Sequence, residues 1–447
     1  MINVLIFFST YFAGFYYALT VGAVFAFTVY QAVYFFNPMR RWWGYMVPDI
    51  PYSFFTVCLM ALVFFINKDK LKDNKIFAAP QFKWFYMLVF FYWIASFWAV
   101  YPAYHDLQFT AYFKLAIIMT IAYKLCDTEL DLDKILMGHI FGAWYVSFVA
   151  FQVGRNSGDR VEGIGTVDAP DANGIAAAIA PAVVLCLYFF WTRKGIKNKA
   201  IFGFAMAFLA NAIVLINSRG AMLAVAASVM YFMHKMFFSR VKKRFQKLTV
   251  VGMIVAGLAG AYVIVDQAFI DRIKSIVEQT EVDKSKESGA TRTYYWIAAY
   301  EMSKDFPHGQ GARGFNYYAP IYLPQDLDTG GSRNRTVHST WFEALSEIGY
   351  QGLIVFLLLL FSCYRCTLAC RRKLKADGNV DSYYKIIAIE GALISFVVAM
   401  TFLNRVRAEI LYWCILYTAV AYNIYIAKPK AQAEAAEREA KLTNRFS

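Results

Sequence analysis

The chain has 447 residues, 59% hydrophobic, 18% aromatic and only 17% charged, with a net charge of +14. A soluble domain averages about 45–50% apolar and about 25% charged residues. The balance excludes a disordered chain and a nucleic-acid-binding tail, and it argues against the soluble enzyme of two or three domains that this length would allow.

The apolar residues gather into runs of roughly 17–20, matching the hydrocarbon thickness of a bilayer. The expected fold class is an all-α polytopic membrane protein. Residues 1–36 are apolar throughout, too long for one untilted span and barely enough for two, with Gly14 or Gly22 as the break. Further spans are expected at 51–66, 83–101, 108–125, 134–153, 172–192, 199–216, 220–238, 247–266, 349–365, 384–404 and 408–427. The total is 12 or 13 transmembrane helices. Five regions follow: an N-terminal transmembrane region 1–150, central spans with arginine-bearing loops 151–266, a large helical loop 267–348, C-terminal spans 349–427 and a tail 428–447. The N-terminal apolar stretch lacks the basic start and the A-x-A-like end of a cleavable signal peptide.

Basic residues alternate between loops. One set holds Lys68, Lys70, Lys72 and Lys75; Arg193, Lys194, Lys197 and Lys199; Arg240, Lys242, Lys243, Arg244 and Lys247; and Arg371, Arg372, Lys373 and Lys375. The other set comprises 102–107, 154–171, 217–219, 267–348 and 404–407, and its short loops are poor in basic residues. By the positive-inside rule the first set is expected in the cytoplasm, together with the C-terminal tail. The short outer loops contain no lysine, yet they hold Arg40, Arg41, Arg155, Arg160, Arg219, Arg405 and Arg407. Topology selects against basic residues there, so arginine needs another reason. Guanidinium is permanently charged, planar and able to grip phosphate through two parallel hydrogen bonds. The plainer reading pairs some of these arginines, Arg40, Arg41 and Arg407 above all, with lipid phosphate or with Asp168 and Asp171.

Arg219 sits in Asn217-Ser218-Arg219-Gly220-Ala221, between two spans with almost no room for a loop. Its charge must lie at or just below the membrane surface, where an ionisable residue is a functional candidate or needs a carboxylate partner. Gly220 beside it lets another group or a ligand approach the backbone. Residues 154–174 form a glycine-rich turn in which Asp171 or Asn173 caps the next helix. No strand precedes that turn and it has no P-loop lysine, so it is not a nucleotide loop.

The long segment 267–348 exceeds a plain connection, and such insertions are usually functional. Its first part, Asp271 to Lys286, reads as a polar helix. Tyr294, Ile297, Ala298 and Met302 suggest an amphipathic helix lying on the membrane, with Arg292 at its start. A glycine-rich turn at 307–315 follows, then an irregular stretch holding Gly330, Gly331, Arg333 and Arg335, then His338 at the mouth of the next span. An isolated histidine is ordinarily a cap or a packed ring. His338, however, lies close to two arginines and precedes Glu343 and Glu347, and an imidazole titrates near 6.5, which suits proton transfer. His105 and His308 read as structural, while His139 and His234 belong to the cytoplasmic half.

Seven cysteines (Cys58, Cys126, Cys186, Cys363, Cys366, Cys370 and Cys414) lie in apolar runs or at their edges, against a disulfide framework. The C-x2-C-x3-C spacing of the 363–370 group has no nearby fourth ligand, so buried helix cysteines are the preferred reading over zinc. No external carboxylate pair has D-x-D-like or E-x-D-like spacing, and Asp49 stands alone. Metal-dependent transfer from a lipid donor therefore has little support, and no cofactor is expected. What remains is a set of fixed cations with one imidazole. Such a set suits departure of a diphosphate from a sugar, because arginines stabilise the developing charge more in the transition state than in the ground state.

Ser218-Arg219-Gly220-Ala221, Arg292 before an aromatic helix, and His338-Ser339 leading to Glu347-Ile348-Gly349 together resemble the O-antigen ligase and polymerase superfamily. The loop from Arg160 to Gly174 is similar to the external loop of those proteins, so the resemblance covers roughly 155–365. It implies a multi-span glycosyltransferase of C-type architecture with a large periplasmic loop in the bacterial inner membrane. Such an enzyme takes glycans from undecaprenyl diphosphate and passes them to an acceptor hydroxyl of a lipid, a protein or a growing glycan. By that resemblance Arg219, Arg292 and His338 are the catalytic residues, and Arg219, Arg292 and Arg160 hold the donor diphosphate. The region around Asn37-Pro38-Met39-Arg40-Arg41-Trp42-Trp43 resembles the N-terminal part of O-glycosylation ligases of the exosortase-associated type, which favours a ligase over a polymerase. A flippase for the same lipid is the alternative from another class. It should line several spans with charge, whereas mid-span charge here is confined to Glu390 and Lys114. An assembly scaffold would explain the span count but not the arginines.

Overall fold

Inside a bilayer every backbone N–H and C=O must be satisfied within the protein, and a helix does this segment by segment. The computed structural model describes residues 1–278, 291–329 and 331–446; among these every regular element is a helix, with no strand. The helices are α1 (Ile2–Thr20), α2 (Phe25–Phe36), α3 (Tyr52–Ile66), α4 (Pro80–Ala95), α5 (Pro102–Leu125), α6 (Glu129–Val153), α7 (Ala172–Thr192), α8 (Ile196–Ile216) and α9 (Arg219–Phe238). They continue with α10 (Gln246–Ile264), α11 (Gln267–Glu278), α12 (Arg292–Asp305), α13 (Gly314–Tyr322), α14 (Thr340–Ala376), α15 (Val380–Met400), α16 (Glu409–Tyr422) and α17 (Lys428–Phe446). Among the described residues, nine helices are long and apolar enough to cross a membrane: α1, α6 to α10, α14, α15, and α16 with its continuation. The expected spans at 51–66, 83–101 and 108–125 correspond to α3, α4 and α5; α3 and α4 are short, at 15 and 16 residues. The first 36 residues break around Gly22, whereas Gly14 lies where α1 closes on Val29 of α2.

The centre of the bundle is α7, α15 and α16, whereas α10 is almost wholly exposed to the surroundings of the protein. Small side chains explain the position of α7: Ala176, Ala177, Ala178, Ala180 and Ala182 are all buried and let four neighbouring helices approach closely. Ion pairs and hydrogen bonds sort the loops into two ends. At the lysine-rich end Lys385 reaches Glu129 (2.7 Å) and Asp133 (2.6 Å), Arg193 also holds Asp133 (2.6 Å), and Arg371 pairs with Glu390 (2.9 Å). The opposite, arginine-bearing end gathers the loops 154–171, 217–218 and 401–408 with the segment that precedes α14.

Much of the 267–348 segment folds as a small helical cap. Its separate core is Tyr295, Ala298, Ala299 and Met302 of α12 with Phe315, Ala319, Leu323, Leu327 and Val337. The buried face of α12 is therefore 295–298–299–302, and Ile297, expected on the apolar face, is exposed. The helix spends its apolar stripe on its own cap instead of on lipid. The stretch expected to be irregular is organised by Arg333, whose guanidinium donates to Leu323 O and Pro324 O (both 2.8 Å). The expected polar helix from Asp271 is seen as α11 up to Glu278; its remainder, and Gly330, lie outside the described residues.

The cap is riveted to α14 at a break in that helix. Gly349 adopts φ 69° and ψ −170°, outside the helical region, which frees the preceding carbonyls. Ser346 O and Glu347 O accept the N–H groups of Gln310 and Gly311 (both 2.9 Å), and Tyr350 N–H returns a bond to Pro307 O (3.1 Å). A side chain at 349 would run into the Pro307–His308 backbone, so only glycine meets both demands.

Candidate functional site

Arg219 is placed by the tight α8–α9 turn. Asn217 takes a left-handed conformation (φ 55°, ψ 45°), its N–H bonds Ile213 O (3.2 Å), and Ser218 is already the N-cap of α9. Asparagine tolerates that conformation better than most residues, so two residues suffice to reverse the chain. Arg219 is then the first residue of α9, and Arg292 is likewise the first residue of α12. Both cations stand at the positive end of a helix dipole, which disfavours positive charge and favours an anion. Placing arginine there works against helix stability and in favour of anion binding.

Phe402, in the turn between α15 and α16, joins the two. Its carbonyl accepts from Arg292 Nη1 (3.1 Å), and its ring lies 3.6 Å from where a Cβ on Gly220 would be. The close approach that Gly220 permits is thus made by Phe402. Trp296 stacks on Phe342 (5.8 Å) and leans on Phe402 (6.4 Å), which presses α12 against this turn.

His338 is held just before α14 in the left-handed region (φ 52°), an unusual conformation for a non-glycine residue. The clamp lies next to it. Thr340 Oγ1 donates to Leu403 O (2.7 Å) and accepts from Arg405 N–H (2.9 Å), and Trp341 Nε1 donates to Thr401 Oγ1 (3.0 Å). The imidazole lies 6.1 Å from the Tyr295 ring and within hydrogen-bond reach of Thr336 Oγ1 (3.2 Å to Nε2). Burial, then the charges of Arg292 and Arg335, push its pKa down to about 4, with Asp171 opposing. At neutral pH the ring is uncharged and able to accept a proton.

Arg160 cross-braces the site: its Nη2 donates to Asn173 Oδ1 and to Asn217 O, both at 3.2 Å. Of the two expected caps for α7, Asp171 serves, accepting the Gly174 N–H (2.9 Å), while Asn173 serves Arg160. Arg160, Arg219 and Arg292 all lie in the field of Arg272 on α11. Burial, then Arg219, Arg160 and Arg292, lower the Arg272 pKa to about 10. Arg160, Arg219, Arg272 and Arg292 thus act on one another's charge, and Arg292 also acts on His338. Such a set of cations with an imidazole can bind a multiply charged anion and accept a proton beside it.

Arg41, Arg405 and Arg407 are structural. Arg41 is buried and donates to Phe35 O (2.8 Å) and Phe36 O (2.9 Å), closing the end of α2. Arg405 donates to Asp168 O (2.6 Å) and pairs with Asp171 (3.1 Å), and its guanidinium occupies the space that a side chain at Gly174 would need. Arg407 pairs with Glu347 and reaches Glu343 (3.5 Å), while Glu347 also accepts from Tyr92 and Arg313 N–H. Glu343 and Glu347 thus anchor the 401–408 turn and do not assist His338. His105 is structural, fixed between Tyr92 O (2.8 Å) and Ala312 N–H (2.9 Å). Sequence reasoning missed Arg272 and the 401–408 turn. The available signals were two arginines in a very short loop and two glutamates four residues apart on one helix face.

No curated protein matches the chain. Residues 204–357, from the middle of α8 to the middle of α14, match the family model described as O-antigen ligase. That stretch holds Arg219, Arg272, Arg292 and His338, whereas Arg160 and the 401–408 turn lie outside it. With its apolar helices the chain is a multi-pass membrane protein, and over residues 204–357 it is similar to the O-antigen ligase family.

Proposed function

We propose that the protein transfers a glycan from a polyprenyl diphosphate, undecaprenyl diphosphate in bacteria, to an acceptor hydroxyl at the periplasmic face of the inner membrane. The observation that carries this reading is that Arg292 bonds Phe402 O (3.1 Å) while the Phe402 ring packs on Gly220, next to Arg219, with His338 in the field of Arg292. The guanidinium groups hold the diphosphate and stabilise the charge it gains as the glycosidic bond breaks. The acceptor oxygen attacks the anomeric carbon from the opposite side, inverting its configuration, and its proton passes to His338. Guanidinium supplies the positive charge, so the reading needs no divalent ion, and transfer should persist in chelator. The lysine-rich end and the C-terminal tail face the cytoplasm in this orientation. A polysaccharide polymerase would use the same chemistry with the growing glycan as acceptor. The N-terminal region around Arg40 and Trp43 favours a ligase.

The test is purified protein in liposomes with a polyprenyl-diphosphate oligosaccharide and candidate acceptors. Product on a second lipid or on protein supports a ligase, and elongation of the donor glycan supports a polymerase. No transfer to any acceptor, alongside transport of the lipid between leaflets, would replace the reading with a flippase.

A pH dependence follows. Because the pKa of His338 is depressed, its proton-accepting form persists as pH falls through 6.5 and is lost only near 4. The acid limb of kcat/KM, which reports the free enzyme, is expected close to pH 4. A limb near 6.5 would show an imidazole whose pKa is not depressed, and an acid limb unchanged in the residual activity of His338→Gln would remove His338 as the base.

A further inference from the structure

α5 runs for 24 residues, from an outer end where His105 accepts the Ala312 N–H of the cap (2.9 Å) to an inner end where Lys124 Nζ donates to Asn74 O (2.5 Å). Lys114 lies about 18 Å below Pro102 and about 16 Å above Leu125 along this helix, near the middle of a hydrocarbon layer about 30 Å thick. It is exposed, and among the described residues it makes no hydrogen bond, ion pair or ring contact. Glu390, by contrast, is held by Arg371 (2.9 Å), and Lys385 by Glu129 (2.7 Å) and Asp133 (2.6 Å). Lysines near the ends of a span stretch to the headgroups, but Lys114 is about three turns from either end. An ammonium at that depth is costly until a counter-charge meets it. Beside Lys114 the outward faces of α4 and α5 leave an apolar groove of about 690 Å³. Tyr86, Phe90 and Trp93 line it from α4, and Phe113, Ile117 and Ile121 from α5. Its polar groups satisfy one another: Tyr86 OH donates to Thr120 Oγ1, and Thr120 donates to Ala116 O, both at 2.7 Å. Lys114 shares a helix face with Ile117 and Ile121, three and seven residues on, so it stands at the rim.

We propose that this groove docks a transmembrane helix of a different protein, which lays apolar side chains between α4 and α5 and presents an Asp or Glu near its middle to Lys114. Charge selects this occupant. A lipid chain suits the apolar walls, but a lipid carries its charge at the headgroup, half the hydrocarbon thickness away from Lys114. A second copy related by an axis along the membrane normal keeps every residue at its depth, and the mid-span carboxylate Glu390 is already buried against Arg371. A foreign helix with its own carboxylate meets both the walls and the ammonium, and such interhelical polar contacts are the usual glue between spans. The groove is separate from the outer arginines: α4 and α5 pack on α3, α14 and α16, whereas Arg219 opens α9, which packs on α7, α10 and α15. The proposal therefore stands or falls independently of glycan transfer.

The experiment places the full chain, with a donor fluorophore on its C-terminal tail, in liposomes with synthetic Leu-Ala transmembrane helices of about 20 residues. Each helix carries an acceptor fluorophore and has Asp, Lys or Leu as its central residue. By energy transfer the Asp helix is expected to associate about 3- to 30-fold more tightly than the Leu helix, the range of interhelical polar contacts in bilayers. The Lys helix should bind no better than the Leu helix. Lys114→Leu should erase the preference for Asp without lowering Tm, because Lys114 has no partner inside the described chain, and Lys114→Arg should keep it. Ile117→Trp fills the groove from an exposed rim position and leaves the charge, so it should weaken the Asp helix too. Equal association of the Asp and Leu helices with the wild type, or an Asp preference that survives Lys114→Leu, would overturn the proposal. A photo-crosslinker in place of Phe113 then identifies the cover in native membranes. Adducts to a span with a mid-helix carboxylate, lost in Lys114→Leu, support the proposal, whereas adducts to lipid alone or to a second copy of the chain reject it.

Discussion

Arg219→Ala, Arg292→Ala and His338→Ala are each expected to abolish glycan transfer while the protein stays folded in the membrane. Removing one preorganised donor to a developing anion costs about 10²–10³ in rate, and each arginine here is such a donor. Retention of the fold follows from position: Arg219 and Arg292 each open a helix, where a cation opposes the dipole, so alanine does not weaken either helix. His338 occupies a left-handed conformation that an alanine adopts no more easily, and its neighbours Thr340 and Trp341 keep the segment docked. Arg219→Lys should also be poor, because an ammonium lacks the planar fork that grips two phosphate oxygens. Transfer at wild-type rates by all three alanine variants, scored with the liposome assay, would reject the site. The order of the losses is informative too. A histidine variant with residual transfer and unchanged donor KM fits proton acceptance, whereas the arginine variants should lose donor affinity as well.

Arg407→Ala is expected to cause the largest loss of stability. Arg407 is 15% exposed, and its partners Glu343 and Glu347 are 7% and 5% exposed. Removing one member of a buried ion pair leaves an uncompensated charge and costs about 3–5 kcal/mol. The damage would spread through the 401–408 turn, because Glu343 also accepts Val406 N–H (3.1 Å) and Tyr412 OH donates to Val406 O (2.9 Å). A loosened turn withdraws Phe402 O from Arg292 and Leu403 O from Thr340, so transfer should fall even though Arg407 belongs to no donor contact. The measurement is thermal unfolding in detergent, read beside transfer activity. Combining Arg407→Met with Glu343→Gln and Glu347→Gln should regain part of the lost stability, since no unpaired charge is then left inside. An unchanged Tm for Arg407→Ala would show that the turn is held by its hydrogen bonds alone.

The candidate site divides by the reach of the interactions that build it. Arg219 was legible because two long apolar runs leave it almost no loop, and that is a property of about five consecutive residues. Asp171 was legible as a cap for the same reason. Arg292 and His338 stood out by their places at the starts of α12 and α14, yet what holds them comes from the far end of the chain. Phe402 is 110 residues from Arg292, and Leu403 is 63 from Thr340. Arg272 looked like any arginine on a polar helix, and only the docking of α11 on Asn217 brings it into the field of the other arginines. Glu343 and Glu347 looked like companions of His338, but the partner they meet is Arg407. The face of α12 was misread by one position because its apolar residues suit either lipid or a protein core, and periodicity alone does not say which.

By itself the amino-acid sequence determined the helical membrane class, the positions of most apolar helices and the contrast between a lysine-rich and an arginine-bearing set of loops. These depend on transfer free energy summed over stretches of about 20 residues, a local quantity. Only the tertiary structure decided which arginines, such as Arg41, Arg405 and Arg407, are spent on carbonyls and carboxylates. That choice depends on contacts between residues tens to hundreds of positions apart, whose meeting is set by how the helices pack. In a bilayer, where an unpaired polar group is costly, packing and partner choice are settled together.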